Sequence, residues 1–522
     1  MTRGRAVASG HTPLFRQVRR WLRCACAAPV AVEATYEQWA RGSPTRREPP
    51  ALGVLKPTLR TQAAATQVPN APRIVIVGAG MAGLTAAYYL QQYGLTADLY
   101  ESSTRTGGRI YSAQGLFAPE LTTELGGEFI NSDHRDMLAF AAQFGLTLID
   151  TDAPSEANLR TRYFFNGRAY TEPQIIDALR PIARRMAQDA QRAGYPITYR
   201  QHTAYARQLD TLSLAEYLRR VGASGWLYEL LEVAYVTEYG LDAGEQSCLN
   251  LLLMIDTNLR DGFDLLGESD ERYKVRGGNQ QIPDLLAERL RDRIYLGHRL
   301  VALRETLQGY RLTFERAGGG SVETQADFVV LTLPFTRLRT VEMRVALPPV
   351  KRRAIAELGY GANAKLILGM QRRFWRKQGL SGDFYTDEPF QSCWDSSRLQ
   401  AGAAGSLTLF LGGTQGVRVG QGTPQAQVAA FLPRLERVLP GARTHYTGTA
   451  HRFHWHSHPH TRGSYSCWKV GQYTTLAGAE FEPVGRLYFA GEHTSLDYQG
   501  YMNGAAETGR RVAQLIRRQV RR

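Results

Sequence analysis

Cysteine is scarce in this 522-residue chain. Cys24, Cys26, Cys248, Cys393 and Cys467 supply neither a disulfide framework nor a C-x-x-C pair for a metal. That excludes a disulfide-stapled scaffold and fits a reducing compartment. Long apolar runs are missing as well: none reaches the ~20 residues that a membrane-spanning helix needs. Acid is scarce at the chain ends. Residues 508–522 contain six arginines and no Asp or Glu, and residues 1–70 hold 11 Arg or Lys against three Glu. These two ends carry nearly all of the formal net charge of +15. The stretch between them is close to neutral, which excludes a nucleic-acid footprint spread over the fold. Hydrophobic residues make up 43% of the chain and charged residues 21%, the balance of a globular protein long enough for two or three domains.

What is present begins at Arg73-Ile-Val-Ile-Val77, a β-branched run suited to a buried parallel strand. Gly78, Gly80 and Gly83 follow as G-x-G-x-x-G, with Met81 and Ala82 inside the motif, and Leu84 to Leu90 reads as a helix. Gly78 makes the tight turn, Gly80 lets the backbone approach a pyrophosphate, and Gly83 allows the helix to pack on the strand. The helix N-terminus offers unpaired N–H groups to phosphates. Asp98-Leu-Tyr-Glu101 ends the next strand with a carboxylate at the distance expected for a ribose hydroxyl. Strand, glycines, helix, strand and acid in one unit predict a dinucleotide site.

Glycine pairs recur in Arg105-Thr-Gly-Gly-Arg109 and Glu124-Leu-Gly-Gly-Glu-Phe-Ile130, as a long cofactor lying close to backbone requires. Arg109 is placed to reach the pyrophosphate. Residues 1–70 read as a basic, poorly ordered arm. An amphipathic Pro13–Cys24 helix on an anionic surface, and a degenerate export or transit peptide at Arg19-Arg20, are left open. Residues 71–135 read as the first part of the cofactor domain, 136–270 as a mainly helical substrate or cap region, and 271–340 as the second cofactor segment. Residues 341–460 read as a substrate domain with its own sheet, and 461–522 as the third cofactor segment and a C-terminal helix. The expected class is therefore α/β: a Rossmann-like domain assembled from separated segments, plus a mixed-sheet substrate domain with a helical insertion.

Across 71–518 the spaced motifs resemble those of the flavin-containing amine oxidases, the group of monoamine, polyamine and L-amino-acid oxidases. The resemblance rests on Val77-Gly-Ala-Gly-Met-Ala-Gly-Leu84, Glu101 with Arg105–Arg109, Glu124–Gly127, Val275-Arg-Gly-Gly278, Tyr488-Phe-Ala-Gly-Glu492 and Gly500-Tyr-Met-Asn-Gly504. It implies an extended FAD whose adenine end lies at Gly78–Glu101. It also implies a backbone contact from Val301 to the adenine, with Gly126, Gly127, Glu128, Phe129, Glu492 and Met502 along the rest of the cofactor. Lys365, in Tyr360-Gly-Ala-Asn-Ala-Lys365, matches the lysine that holds a water near the flavin. Tyr465 and Tyr501 match the aromatic pair that flanks the amine. Ser464 stands where monoamine oxidases carry the cysteine that anchors FAD, so FAD is expected to be non-covalent.

The implied reaction is oxidation of a primary or secondary amine to an imine, with O2 reduced to H2O2. The arginine that grips the substrate carboxylate in L-amino-acid oxidases is absent from Gly126-Gly-Glu128-Phe129, and Glu128 would favour a second positive charge on the substrate. An L-amino-acid oxidase giving a 2-oxo acid remains the alternative, followed by a non-catalytic FAD-binding partner protein. The histidines of His451-Arg-Phe-His454-Trp-His456-Ser-His458-Pro-His460 lack a completing Cys or acid, so no metal is expected. A cytoplasmic location is expected. Homodimerisation and weak contact of the basic ends with a membrane surface are left open.

Overall fold

The computed structural model describes residues 72–521 apart from 256, 259–264 and 268. The N-terminal arm and its Pro13–Cys24 segment lie outside the described residues.

Strand β1 (Ile74–Val77) is buried along its whole length. It sits third in a five-stranded parallel sheet ordered Leu487–Phe489, Phe328–Leu331, β1, β2 (Ala97–Tyr100) and Ile294–Tyr295. Strands buried on both faces need continuous apolar side chains, which Ile-Val-Ile-Val and Phe-Val-Val-Leu provide. Four segments of the chain thus build one sheet. Helix α1 (Met81–Gln92) covers it and packs on the final helix, Met502–Val520. The contact depends on glycine: a Cβ on Gly509 would lie 2.3 Å from the Ala82 carbonyl oxygen.

A second sheet pairs Ser321–Ala326, Gly309–Arg316 and His298–Thr306 antiparallel, with Glu342–Arg344 parallel at its edge. The third has seven strands, in the order Tyr446–His454, Ala364–Met370, Gly405–Leu411, Ser392–Asp395, Leu380–Thr386, Arg160–Phe165 and Arg168–Tyr170. Its Ala364–Met370 strand is buried throughout.

In the region 136–270 helices predominate, with strands that the sequence reading did not include. The helices Glu172–Ala193, Leu214–Val221 and Gly225–Tyr239 are there, but Arg160–Phe165 and Arg168–Tyr170 extend the third sheet. Arginines at 160, 162 and 168 break the apolar alternation, a usual property of an edge hairpin. No described helix is long and apolar enough to cross a membrane.

Candidate active site

One cavity of about 1000 Å³ runs from the Gly78 turn to the third sheet. Its first half is a cradle of close backbone approaches. Gly78 adopts φ +106°, and a Cβ there would lie 2.4 Å from Thr332 Oγ1. A Cβ on Gly83 would lie 1.9 Å from the Gly78 carbonyl oxygen, so the helix can follow the turn this tightly only with glycine. Glu101 accepts from the backbone N–H of Ala79 and of Ser103, both at 2.8 Å. Arg105 braces the loop by donating to the carbonyls of Thr106 and Ile110.

Further along, Arg109 donates to Glu492 Oε1 at 2.9 Å and to the Ser464 carbonyl at 2.8 Å. Burial favours protonation of Glu492, but Arg109, His493 and Ser466 outweigh it and hold the carboxyl below its usual range. Its other oxygen accepts from Ser466 Oγ and the Gly500 N–H, tying the final turn to the cofactor half. Gly127 lies against Met502, where a Cβ would come within 2.8 Å of the sulfur. Gly80, Met81, Ala82, Gly126 and Phe129 also line the cavity. Val301 is outside that lining. It sits at a β-bulge between Leu300 and Ala302 that leaves it with no facing residue on the neighbouring strand. Long, glycine-lined and ending in a ribose-type carboxylate, the cradle fits an extended dinucleotide.

The second half holds the reactive candidates. Lys365 is buried, and its Nζ donates to the carbonyls of Glu124 and Gly126 at 2.9 Å and to Glu128 Oε2 at 2.8 Å. Holding a water would require one of these three bonds to be exchanged. Glu128 also receives Lys274 at 3.2 Å. Burial alone would raise its pKa; the two lysines hold it below the ordinary range. This corrects the reading of Glu128 as a partner for a substrate cation, since its charge is already neutralised from within.

Tyr465 and Tyr501 converge on one helix end. The Tyr501 hydroxyl donates to Glu238 Oε1 at 3.3 Å, and Tyr465 donates to the Glu238 carbonyl. His134 meets the Tyr501 ring edge-on at 5.2 Å; burial pushes its pKa down to about 3, so it is neutral. The rings of Tyr163 and Tyr385, which stack at 6.0 Å, continue the wall. Ser464 Oγ is engaged with Asn363 Oδ1 at 2.6 Å. Cys467 is buried away from the lining, and Cys393 is the one cysteine in it among the described residues.

Several lining residues carry no sequence motif, foremost Glu238 and Glu271. Burial pushes the Glu238 carboxyl up to about 7. Glu271 rises to about 8 through burial and then the charges of Glu238, Asp383 and Glu128. Glu271 adopts φ +44°, uncommon for a side chain of its size, and its N–H is held by Asn131 Oδ1 at 3.1 Å. Glu238 lies in the last turn of a helix that also carries Glu229 and Glu232, so nothing in the sequence singled it out. Arg398 also lines the cavity and is paired with Asp383.

The comparisons agree with this geometry. The family model for flavin containing amine oxidoreductases matches residues 81–517. A Mycobacterium tuberculosis protein named as a flavin-containing monoamine oxidase, AofH, is 26% identical over 464 residues, covering 87% of this chain and 98% of its own. An L-amino-acid oxidase of Demansia vestigiata is 23% identical, covering 87% of this chain and 88% of its own. Among solved structures, cyclohexylamine oxidase from Brevibacterium oxydans superposes with a TM-score of 0.74 at 22% identity, covering 87% of this chain and 100% of that one. A putrescine oxidase bound to putrescine gives 0.72 at 22%, covering 86% and 99%. With its glycine cradle, its cavity and a family match spanning most of its length, this chain belongs to the flavin-containing amine oxidoreductases.

Proposed function

We propose that the protein is an FAD-dependent oxidase that converts a cationic amine, preferably one bearing a second ammonium, to its imine. The observation that carries this reading is the charge of the substrate half. Asp152, Glu238, Asp270, Glu271, Asp383, Asp395 and Glu128 line it against Lys274, Lys365 and Arg398; Glu128 is met by the two lysines and Asp383 by Arg398, while Glu238 and Glu271, raised to about 7 and 8, are acids that can ionise when a cation arrives. Such a recess concentrates cations and repels carboxylates. Arg398, the arginine that a 2-oxo acid-forming enzyme would need free, is committed to Asp383.

When bound, FAD accepts two electrons from the carbon bearing the amine and passes them to O2, giving H2O2. The Gly78–Gly83 turn, Glu101, Arg109, Glu492 and Met502 would hold it. With serine at 464, non-covalent binding is the fitting mode. Tyr465 and Tyr501 offer ring faces to the amine, and Glu238 fixes both hydroxyls. A carboxyl with a pKa near 7 is suited to take the proton from an arriving ammonium. Glu271 supplies the charge for a distal ammonium, ionising as the cation approaches.

Steady-state kinetics on a diamine and a monoamine of equal chain length test this. Glu271→Gln should raise KM for the diamine about tenfold, the order expected for losing a charge-assisted bond, and leave the monoamine within about twofold. Equal effects on both substrates would remove Glu271 from distal recognition.

A further inference from the structure

The third sheet turns one face to the core and the other to the substrate half of the cavity. Phe164, Phe384 and Leu409 are buried in the core behind it, whereas Tyr163, Tyr385 and Phe410 alternate with them, stay half-buried and line the cavity. The three aromatics belong to one unbroken row of register partners across six strands: Phe453, Lys365, Phe410, Ser392, Tyr385 and Tyr163. All six line the cavity. Neighbouring strands lie ~4.8 Å apart, so Tyr385 stands three strands, about 14 Å, from Lys365.

Ser392 is the one small residue in the row. It leaves a notch two strands wide, about 10 Å, between Phe410 and Tyr385. Tyr163 stacks against Tyr385 with 6° between the ring planes, and Trp394 backs Phe410 at 5.1 Å. A cation midway across the notch would lie about 5 Å from each flanking position, inside the ~6 Å reach of a cation–π contact.

Hydrogen-bond acceptors are few around this notch. Asp383 gives both carboxylate oxygens to Arg398, and the Ser392 hydroxyl donates to the Phe410 carbonyl at 3.1 Å. The Glu271 carboxyl has no ion pair or hydrogen bond among the described residues. It is near enough that its charge, after burial, raises the Tyr385 pKa. A bare ammonium brings three N–H donors, more than one carboxyl can match, and an unmatched donor out of water is costly. Methyl groups on the nitrogen exchange those donors for apolar surface that ring faces accept.

Building on the reading of the protein as an oxidase of cationic amines, we propose that the notch takes an N-methylated distal ammonium, tertiary or quaternary, in preference to a bare one. The amine to be oxidised then lies at the Lys365 end of the row.

Calorimetric titration of the flavin-loaded enzyme with butyltrimethylammonium, which cannot form an imine, tests the proposal. Saturable one-to-one binding with unchanged flavin absorbance is expected. Tyr385→Leu should weaken it at least about tenfold, the order of a desolvated cation–π contact, while Tyr385→Phe keeps the ring and should stay within about twofold. Ser392→Val narrows the notch, should also weaken binding, and keeps the test valid if Tyr385→Leu fails to fold. In turnover, a primary amine ending in a trimethylammonium should show a kcat/KM at least about threefold above the diamine of equal chain length, and Tyr385→Leu should erase that ratio. Absence of probe binding, binding indifferent to both Tyr385→Leu and Ser392→Val, or a diamine preferred at every chain length overturns the proposal. Diamine oxidation without probe binding sinks this inference and leaves the proposed function standing. Probe binding lost in Tyr385→Leu, in an enzyme that oxidises no amine, does the reverse.

Discussion

Lys365, Glu128 and Lys274 form a buried chain of charges in which one carboxylate serves two ammonium groups at 2.8 and 3.2 Å. Such groups stay charged indoors only while each has a partner. Lys365→Met should therefore destabilise the protein by about 3 kcal/mol, the low end for breaking a buried pair, because Lys274 still faces Glu128. A urea midpoint that does not move would show that the three are not balanced as a unit. The same substitution should slow flavin reduction or reoxidation at least about tenfold, and unchanged half-reactions in stopped flow would remove Lys365 from the chemistry. Glu271 gives a pH signature. Its folded-state carboxyl titrates near 8, far above an unfolded glutamate at about 4.3. The folded protein thus holds a proton that the unfolded chain has lost, and stability falls as pH rises through that window. Glu271→Gln should melt higher than the parent at pH 8 and match it near pH 4. Parallel melting curves with a constant offset would contradict the shift.

At the scale of elements, the design rests on the first and last helices meeting over the sheet. Gly83 admits α1 to the turn, and Gly509 admits the final helix to α1. Gly83→Ala forces a Cβ to within 1.9 Å of a carbonyl oxygen and should cost about 1–3 kcal/mol through backbone displacement. Because the same displacement opens the phosphate turn, the purified variant should carry less than one flavin per chain, read from the ratio of flavin to protein absorbance. Full occupancy would show that the turn tolerates the shift. These elements were legible because backbone constraints write themselves as glycine at fixed spacing: Gly78, Gly83, Gly126 and Gly127 each sit where a Cβ would collide with a neighbour. The hairpin over residues 160–170 was not legible, since an edge strand can alternate arginine with aromatics and still pair on one side. The Gly225–Tyr239 helix was legible as a helix, but nothing in its pattern said that Glu238 would face two tyrosines more than 200 residues away.

For the molecule as a whole, the two halves of the cavity differ in what the chain discloses. The cofactor half is built from local motifs, so spacing and resemblance pointed to residues such as Gly78, Glu101 and Arg109 that line it, but also to Val301, which does not. The substrate half is assembled from the third sheet and the inserted helices, and its charge emerges only when Glu238, Glu271, Asp383 and Arg398 are brought together. Glu128 shows the hazard of reading one residue alone: its position was foreseen, but its two lysine partners lie 146 and 237 residues along the chain. The basic C-terminus changes meaning as well. Arg510 pairs with Asp136 and Arg511 donates to the Thr494 carbonyl, so part of that charge braces the fold. The account's central claim is an oxidase whose anionic cavity selects cationic amines. The most direct test is a peroxide assay of the purified, flavin-loaded protein against diamines, monoamines and L-amino acids. The account predicts peroxide with amines, most efficiently with a diamine, and none with amino acids. Peroxide from L-amino acids alone, or from none of the panel, would contradict it.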